Sequence, residues 1–319
     1  MSKIDLSIVI PLFNEEENVA ALLDAVSSSA NEIKGSYEIV VVDDGSADGT
    51  WQALESAAQS CAQLKAFRFS RNFGHQKALL AGLNFAEGDA ILSMDGDLQH
   101  PPALIPALYQ KWQEGFDVVA TRRHDQQVSS LFKRITSRSF YRLFSWLAGI
   151  PMRSGSSDFR LIDARVRDEL LRFQDVDLFI RGAVEWLGFK THVMDFEAGA
   201  RHAGTTKFNL KRMAKFASNA IVSFSVKPLR LSIWLGFFTS LAAFSELGYI
   251  LWAYSQGLTV PGWASILGVL SLLFGILFIL LGIIGAYITR LHIGAQGRPP
   301  FVVSERLEAK AISLRKSAE

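Results

Sequence analysis

Short apolar runs alternate with amphipathic segments over residues 1–226. Five runs are rich in Ile, Val or Phe and end at turn residues, as strands do. They are Leu6–Ile10, Glu38–Val42, Lys65–Phe69, Ala90–Met94 and Asp117–Ala120. Alternation at this spacing predicts an α/β fold, a mostly parallel sheet with helices on both faces. Ligands of such sheets bind at the carboxyl ends of the strands.

Three segments between these strands have helical periodicity. We expect Asn14 to cap the first helix, with Glu17 in the capping-box position ahead of an apolar stripe that begins at Val19. The other two helices are predicted over Asp48–Gln59 and Gly74–Phe85.

The composition of the chain changes after Pro228. Residues 231–254 and 264–288 are apolar, and Glu246 is the one charged residue within them. Each segment is long enough to cross a hydrocarbon core of about 30 Å at about 1.5 Å per residue, which predicts two transmembrane helices. Because a charge is costly in lipid, we expect Glu246 to face a partner helix or another subunit of a homo-oligomer.

Basic residues flank the predicted hairpin on one side only. Lys227 and Arg230 precede the first span, Arg290 and Arg298 follow the second, and the connecting loop has no Lys or Arg. The positive-inside rule then predicts a multi-pass inner-membrane protein with both termini in the cytoplasm, and no secretory signal is visible. The expected parts are a catalytic domain (1–206), an amphipathic juxtamembrane segment (207–230), two spans (231–289) and a cytoplasmic tail (290–319).

Two further segments, 131–147 and 207–226, combine basic and large apolar residues at helical spacing. This composition suits the headgroup layer of a bilayer of anionic lipids, and an ordinary surface helix is the alternative.

Charge and cysteine content exclude several protein classes. The 33 Lys and Arg against 31 Asp and Glu give a net charge of +2, whereas nucleic-acid binders are usually strongly basic. Cys61 is the single cysteine of the chain, so an intramolecular disulfide scaffold and Cys-cluster metal sites are excluded. Neither a dinucleotide-binding Gly-x-Gly-x-x-Gly after the first strand nor a Walker A motif is present.

Acidic residues follow three of the predicted strands. They are Glu15 after the first strand, Asp43 and Asp44 after the second, and Asp95 and Asp97 after the fourth. These strand ends should converge at one edge, where like charges are unfavourable unless a positive group lies among them. A divalent cation that bridges a diphosphate meets this need, and such hard oxygen ligands suit Mg²⁺ or Mn²⁺. Solvated turns are the alternative for each motif alone.

These motifs and their order resemble glycosyltransferase family 2, whose members bind nucleotide sugars on a GT-A fold. The chain is most similar to the polyprenyl-phosphate sugar transferases: dolichol-phosphate mannose synthases and bacterial undecaprenyl-phosphate glucosyltransferases. The matching segments are Ile8–Glu16, Asp43–Thr50, Ser70–Gly74, Asp95–Pro102, Asp158–Leu161, Ser223–Ser225 and Pro228–Arg230. The resemblance covers nearly the whole chain. The Gln-x-x-Arg-Trp sequence of processive synthases is missing, which favours transfer of a single sugar.

The resemblance implies a donor site along the acidic edge. The nucleotide sugar would be bound by Pro11, Phe13, Glu15, Val42, Asp43, Asp44, Asp95 and Gly96. Asp97 and Gln99 would hold the diphosphate and a cofactor, Mg²⁺ or Mn²⁺. His100, which precedes two prolines, is expected to shape the turn.

The resemblance also implies an acceptor site. The lipid phosphate would be met by Arg122, Lys133 and Arg134, with strand-end salt bridging as the alternative for Arg122. Asp158 would orient the acceptor or act as a base, which completes a catalytic set of Asp97, Asp158 and Arg122. Ser157 stands where the family usually has Gly. Arg201 and Lys207 resemble the family's loop that closes over the diphosphate, and the alternative is that they belong to the basic charge of the interfacial helix.

Together these features predict a membrane-anchored, metal-dependent, inverting glycosyltransferase. It would move one sugar, with UDP-glucose as the first candidate donor, onto undecaprenyl or another polyprenyl phosphate. The alternatives are the same reaction with GDP-mannose, UDP-GlcNAc or UDP-aminoarabinose, or a non-catalytic membrane adaptor. No nucleic-acid partner is expected.

Overall fold

The computed structural model of the protein describes residues 4–123, 156–173, 175, 178–196, 225–257 and 262–308. Its strands are β1 (Leu6–Leu12), β2 (Tyr37–Asp43), β3 (Leu64–Phe69), β4 (Ala90–Ser93), β5 (Val118–Arg123), β6 (Ser156–Asp163), β7 (Thr191–Phe196) and β8 (Val303–Glu308). Its helices are α1 (Val19–Ala30), α2 (Thr50–Ala57), α3 (His75–Phe85), α4 (Ile105–Gln113), α5 (Ala164–Leu171), α6 (Ile180–Leu187), α7 (Lys227–Ser255) and α8 (Trp263–Ala295). Short 3₁₀ turns precede α1 and α4.

The described strands form one sheet in the order β7-β5-β6-β4-β1-β2-β3-β8. β1 pairs in parallel with β2 and with β4, β2 pairs in parallel with β3, and β5 with β7. Antiparallel pairing joins β6 to β4 and β5, and β8 to β3. The predicted class, a GT-A-like α/β fold with a mostly parallel sheet, is confirmed.

The sheet separates two hydrophobic cores. Ile8 and Ile10 of β1 pack in the core that α1, α2 and α4 cover, whereas Val9 packs in the core beneath α3, α5 and α6. Since neighbouring strand residues point to opposite faces, a strand covered on both sides must be apolar throughout. All seven residues of β1 are buried, which explains the continuous apolar run in the sequence.

The first helix begins later than predicted, so the N-cap at Asn14 and the capping box at Glu17 are wrong. α1 starts at Val19 with Asn18 in the capping position. Asn14 has a left-handed backbone, φ 54°, and its Oδ1 accepts a hydrogen bond from the backbone N–H of Ala47 at 2.9 Å. A side chain that fixes the neighbouring loop is not available to cap a helix.

The hairpin is longer than the predicted spans, since α7 and α8 extend beyond both ends of 231–254 and 264–288. Both helices are long and apolar enough to cross a membrane, and their apolar windows are not buried inside the protein. Glu246 is exposed on α7. Most of the predicted juxtamembrane segment, 207–224, lies outside the described residues.

The expected tail is not a separate part of the chain. β8 lies within it and pairs antiparallel with β3, so the sheet extends beyond the strands predicted before the hairpin. This pairing brings the chain back to the sheet directly after α8.

α3 lies very close to β1 at Gly82. A Cβ at this position would come within 2.2 Å of Val9 Cγ1, and Val9 is completely buried. We predict that Gly82→Ala lowers the free energy of unfolding by about 1–3 kcal/mol, because the clash outweighs the roughly 1 kcal/mol of helix propensity that Ala gains. Thermal unfolding of the detergent-solubilised protein measures this change.

Asn84→Ala is the matched control, because Asn84 lies on the exposed face of the same helix. It should change stability by no more than about 0.5 kcal/mol. Equal midpoints for Gly82→Ala and the wild type would contradict the close contact between α3 and β1.

Candidate active site

A cleft of about 310 Å³ opens at the carboxyl ends of β1, β2 and β4. It is lined by Pro11, Leu12, Phe13, Glu15, Asp44, Asn72, Gly74, His75, Ala78, Asp95, Gly96 and Asp97. Six of the residues predicted to bind the nucleotide, together with Asp97, therefore lie around one space. Val42 and Asp43 are buried behind the lining.

Asp43 joins the loops that follow β1 and β2. It is completely buried, and its carboxylate accepts the backbone N–H of Ser46 at 2.9 Å. Ser46 Oγ accepts the backbone N–H of Asn14 at 2.9 Å, and Arg68 Nε lies 3.4 Å from the second carboxylate oxygen of Asp43. Asp43 thus supports the cleft from behind, and its predicted contact with the nucleotide sugar stays a prediction.

Asp44 fixes the loop formed by the Ser70–Gly74 motif. Its carboxylate accepts the backbone N–H of Phe73 at 2.7 Å and that of Gly74 at 2.9 Å. Gly74 has φ 104°, a conformation that favours glycine. Burial raises the pKa of Asp44, although the two N–H donors act in the opposite direction. The cleft wall is therefore built on a buried carboxylate that bridges two loops.

The turn that carries Asp95 and Asp97 is held tightly against β1. A Cβ on Gly96 would lie 2.1 Å from Leu12 Cδ2, so a larger residue would push the turn away from the strand. Asp95 Oδ1 is buried without a hydrogen-bond partner, and His75 Nε2 lies 3.5 Å from it; a buried oxygen that accepts no hydrogen bond fits a site that binds a cation. Gln99 donates its backbone N–H to Asp97 Oδ1 at 3.1 Å, and its role as a metal ligand stays a prediction.

Within the described part of the chain, no group of three or more His, Cys, Asp or Glu side chains is arranged to hold a metal ion. A divalent cation bound beside Asp95 and Asp97 would therefore need donor oxygens from a ligand or from water, which Mg²⁺ commonly has in phosphate sites. The donor set fits a cation that binds together with a diphosphate.

His100 shapes the turn, as predicted. It is buried, and its Nδ1 accepts the backbone N–H of Asp95 at 2.9 Å. Burial lowers the pKa of His100 despite nearby carboxylates. Because Nδ1 accepts a hydrogen bond, the ring proton is on Nε2, which lies 2.7 Å from Ser157 Oγ. Ser157 Oγ also accepts the N–H of Phe159 at 3.1 Å. The hydroxyl that replaces the family's usual Gly is thus part of this support.

Asp158 is surrounded by cationic and amide groups. Arg181 donates Nε and Nη2 to its two oxygens, each at 2.7 Å, and Arg160 Nη2 lies 3.5 Å away. His75 Nε2 lies 3.6 Å from Oδ2, and Gln76 Nε2 donates to the same oxygen at 3.4 Å. With 3% of the residue exposed, Asp158 is an anion that the protein itself neutralises.

The charges around Asp158 shift the pKa of two groups in opposite directions. Burial favours the neutral acid, but the charge and hydrogen bonds of Arg181 outweigh it and hold the pKa of Asp158 well below its usual value. Burial also lowers the pKa of His75, but its hydrogen bond with Asp158 and the charges of Asp95 and Asp158 prevail and raise it above 6.5. His75 Nε2 lies 3.5 Å from Asp95, so this imidazole links the two acidic groups.

His75 and Arg181 were not among the residues predicted from the sequence. His75 follows the Ser70–Gly74 motif directly, so its position was a usable signal. Arg181 reaches Asp158 from α6, 23 residues along the chain, and no local pattern points to that contact.

The predicted acceptor residues are only partly described. Arg122 forms an ion pair with Asp195 across β5 and β7, with Nε and Nη2 at 2.6 and 2.9 Å from the carboxylate oxygens. Both side chains are about half exposed, so the salt-bridge alternative is present and a contact with lipid phosphate stays a prediction. The other four predicted residues, Lys133, Arg134, Arg201 and Lys207, lie outside the described residues.

We predict that Asp158→Asn destabilises the protein by about 3–5 kcal/mol near pH 7, because Arg181 and Arg160 lose their buried counter-charge. A depressed pKa in the folded state stabilises the fold only where the carboxyl is ionised. That contribution is complete above the unfolded pKa of about 3.9 and is lost as the pH falls toward the lower folded pKa. The difference in stability between variant and wild type should therefore begin to narrow as the pH falls below about 3.9.

The measurement is thermal unfolding between about pH 3 and pH 7. Asp168→Asn is the control, because Asp168 is exposed and pairs with Arg167 at the surface; we expect a change below about 1 kcal/mol. A loss for Asp158→Asn that is equally large in acid would contradict the ion-pair explanation.

Comparisons with known proteins identify the family to which the chain belongs. The model of Glycosyl transferase family 2 matches residues 7–173. The uncharacterized glycosyltransferase YkcC of Bacillus subtilis is 37% identical over 303 residues, which cover 95% of this chain and 94% of that protein. The prophage bactoprenol glucosyl transferase homolog of Escherichia coli is 35% identical over 299 residues, 93% of this chain and 98% of that protein.

Among solved structures, the mannosyltransferase PcManGT from Pyrobaculum calidifontis matches 72% of this chain and 65% of that chain, with 18% identity and a TM-score of 0.49. The family model spans more than half of the chain, and the relatives match it almost from end to end. The chain therefore belongs to glycosyl transferase family 2 and is a glycosyltransferase.

Proposed function

We propose that this glycosyltransferase transfers one sugar from a nucleoside-diphosphate sugar to a polyprenyl phosphate at the cytoplasmic face of the inner membrane. UDP-glucose and undecaprenyl phosphate are the first candidate substrates. The observation that carries the proposal is an acidic cleft, lined by Asp44, Asp95 and Asp97, in a chain that also has two helices able to span a membrane. Relatives named bactoprenol glucosyl transferase support a lipid-linked acceptor.

Two contacts support a hairpin of α7 and α8 whose two ends both lie on the cytoplasmic side. Arg290, which follows the second predicted span, donates to Asp175 at 3.1 Å. β8 then pairs with β3 of the sheet that carries the cleft. A chain that leaves the domain into α7 and returns to it after α8 crosses the bilayer twice, so both ends of the hairpin lie on the side of the cleft. We also propose a homo-oligomer, because Glu246 is exposed on α7 and a charge there favours a polar partner.

The acceptor needs alignment more than deprotonation. A phosphate monoester is already ionised near pH 7, so its oxygen attacks the anomeric carbon as the bond to the departing diphosphate breaks, with inversion. Asp158 is a poor base, since Arg181 holds its pKa low. Its role in this proposal is to orient His75 and Arg181, and the positive charge of Arg181 reduces the repulsion between the acceptor and the diphosphate.

Asp97 and Asp95, with Gln99 beside them, are the residues that would hold Mg²⁺ or Mn²⁺. A divalent cation in this position supplies charge stabilisation to the leaving diphosphate. Arg122, Lys133 and Arg134 remain the proposed contacts of the lipid phosphate, and Arg201 and Lys207 those of the diphosphate.

The proposal names UDP-glucose as the first candidate donor, and other nucleotide sugars are alternatives. Hexose selectivity depends on a few contacts in the pocket, so GDP-mannose, UDP-GlcNAc and UDP-aminoarabinose stay alternatives. A non-catalytic adaptor is set aside, because the chain belongs to a family of transferases.

Purified full-length protein should be incubated with undecaprenyl phosphate and a panel of radiolabelled nucleotide sugars. One donor should give labelled lipid, with nucleotide released only when the lipid phosphate is present; release without lipid would contradict the proposed acceptor.

We predict that Asp97→Asn reduces sugar transfer by about 100-fold or more, because the loss of one carboxylate charge weakens the hold on the cation and diphosphate. The measurement is the rate of labelled lipid formation at saturating donor. The variant should stay folded and membrane-bound, since Asp97 lies on the cleft lining and not in a hydrophobic core.

Asp24→Asn is the matched control, because Asp24 is exposed on α1. It should transfer sugar at the wild-type rate. Unchanged turnover in Asp97→Asn would remove the metal role from this residue.

A further inference from the structure

The segment after the second membrane helix packs behind the nucleotide cleft. The carbonyl oxygen of Val302 accepts the backbone N–H of Ser70 at 3.0 Å, just before β8 begins to pair with β3. Ser70 is the first residue of the Ser70–Gly74 loop, and Asn72 and Gly74 of that loop line the cleft. The C-terminal strand thus contacts the loop that forms one cleft wall.

Aromatic stacking forms a second link. Phe301 stacks on Phe69 with ring centroids 5.2 Å apart and an interplanar angle of 12°. Phe73 meets the same ring edge-on at 5.6 Å. The backbone N–H of Phe73 is one of the two donors that hold Asp44. Phe301 therefore packs behind the residues that fix the Asp44 carboxylate.

An ionic link runs from β8 to the loop after β2. Glu305 Oε1 lies 2.9 Å from Arg68 Nη1. The same guanidinium lies 3.4 Å from Asp43 Oδ2 through Nε and donates to the carbonyl oxygen of Ser46 at 3.2 Å through Nη2. Asp43 is completely buried and its Oδ2 has no hydrogen-bond partner, so the orientation of Arg68 decides how well this charge is balanced.

We propose that Glu305 is a positioning residue for the donor nucleotide. It fixes Arg68 against Asp43 and Ser46, and thereby holds the loop that ends in the cleft in the geometry that binds a nucleoside diphosphate. Residues of β8 are not part of the cleft lining, so Glu305 acts through Arg68. A loop held in its bound geometry loses less conformational entropy when the ligand binds. This inference rests on the proposed function in one respect: a nucleoside diphosphate must occupy the cleft.

The test is Glu305→Gln in the full-length protein, titrated with UDP and with GDP in the presence of Mn²⁺ by isothermal calorimetry. A partly exposed ion pair is worth up to about 1 kcal/mol, so we expect an affinity about three- to fivefold weaker. The KM for the donor should rise by the same factor while kcat stays unchanged, which a general loss of folded protein would not produce.

Two further variants sharpen the test. Glu308→Gln removes a carboxylate from the exposed end of the same strand and should bind as the wild type does. Arg68→Gln should weaken binding, and adding Glu305→Gln to it should cause no further loss, because both residues act through one contact.

Three results would overturn the proposal. The first is wild-type affinity in Glu305→Gln, which leaves the proposed function intact if the wild type binds nucleotide. The second is an equal loss in Glu308→Gln. The third is a wild-type protein that binds neither UDP nor GDP, which overturns the proposed function together with this inference.

Discussion

Repulsion between carboxylates is the constraint that organises this protein. A parallel sheet brings the ends of its strands to one edge, and here those ends carry Asp95, Asp97 and, from the neighbouring antiparallel strand, Asp158. The fold places basic groups beside them: His75 lies between Asp95 and Asp158, and Arg181 donates to both oxygens of Asp158. Asp95 Oδ1 is buried and accepts no hydrogen bond, and its residue lies on the cleft lining.

Carboxylates serve two different purposes within a short distance of each other. Asp43 and Asp44 are buried and accept backbone N–H groups, so they fix the loops that form the cleft. Asp95 and Asp97 lie on the lining. The difference arises from position: Asp43 and Asp44 are buried where they hold neighbouring loops, although Asp44 also lines the cleft, whereas the turn after β4 places Asp95 and Asp97 beside the open space.

A strand could be predicted from the sequence when helices cover it on both faces. β1, β2 and β4 are buried by helices on both faces, and their continuous apolar runs identified them. β8 is an edge strand with an exposed, charged sequence, so it has no continuous apolar run. Residues 290–319 were therefore predicted to be a tail. Asn14 has the side chain of a helix cap, yet it is used by the loop after β2, because a contact between distant loops competes with a local one.

The sequence by itself determined the class of the sheet, the acidic strand ends, the two apolar helices and the likeness to one family. Each of these features can be identified from local periodicity or from a short motif. Only the tertiary structure decided that Arg181 neutralises Asp158, that His75 joins it to Asp95, and that Glu305 reaches Arg68 from beyond the hairpin. These contacts join residues that are far apart in the chain. The sequence around a charged residue does not show which oppositely charged residue will lie beside it after folding.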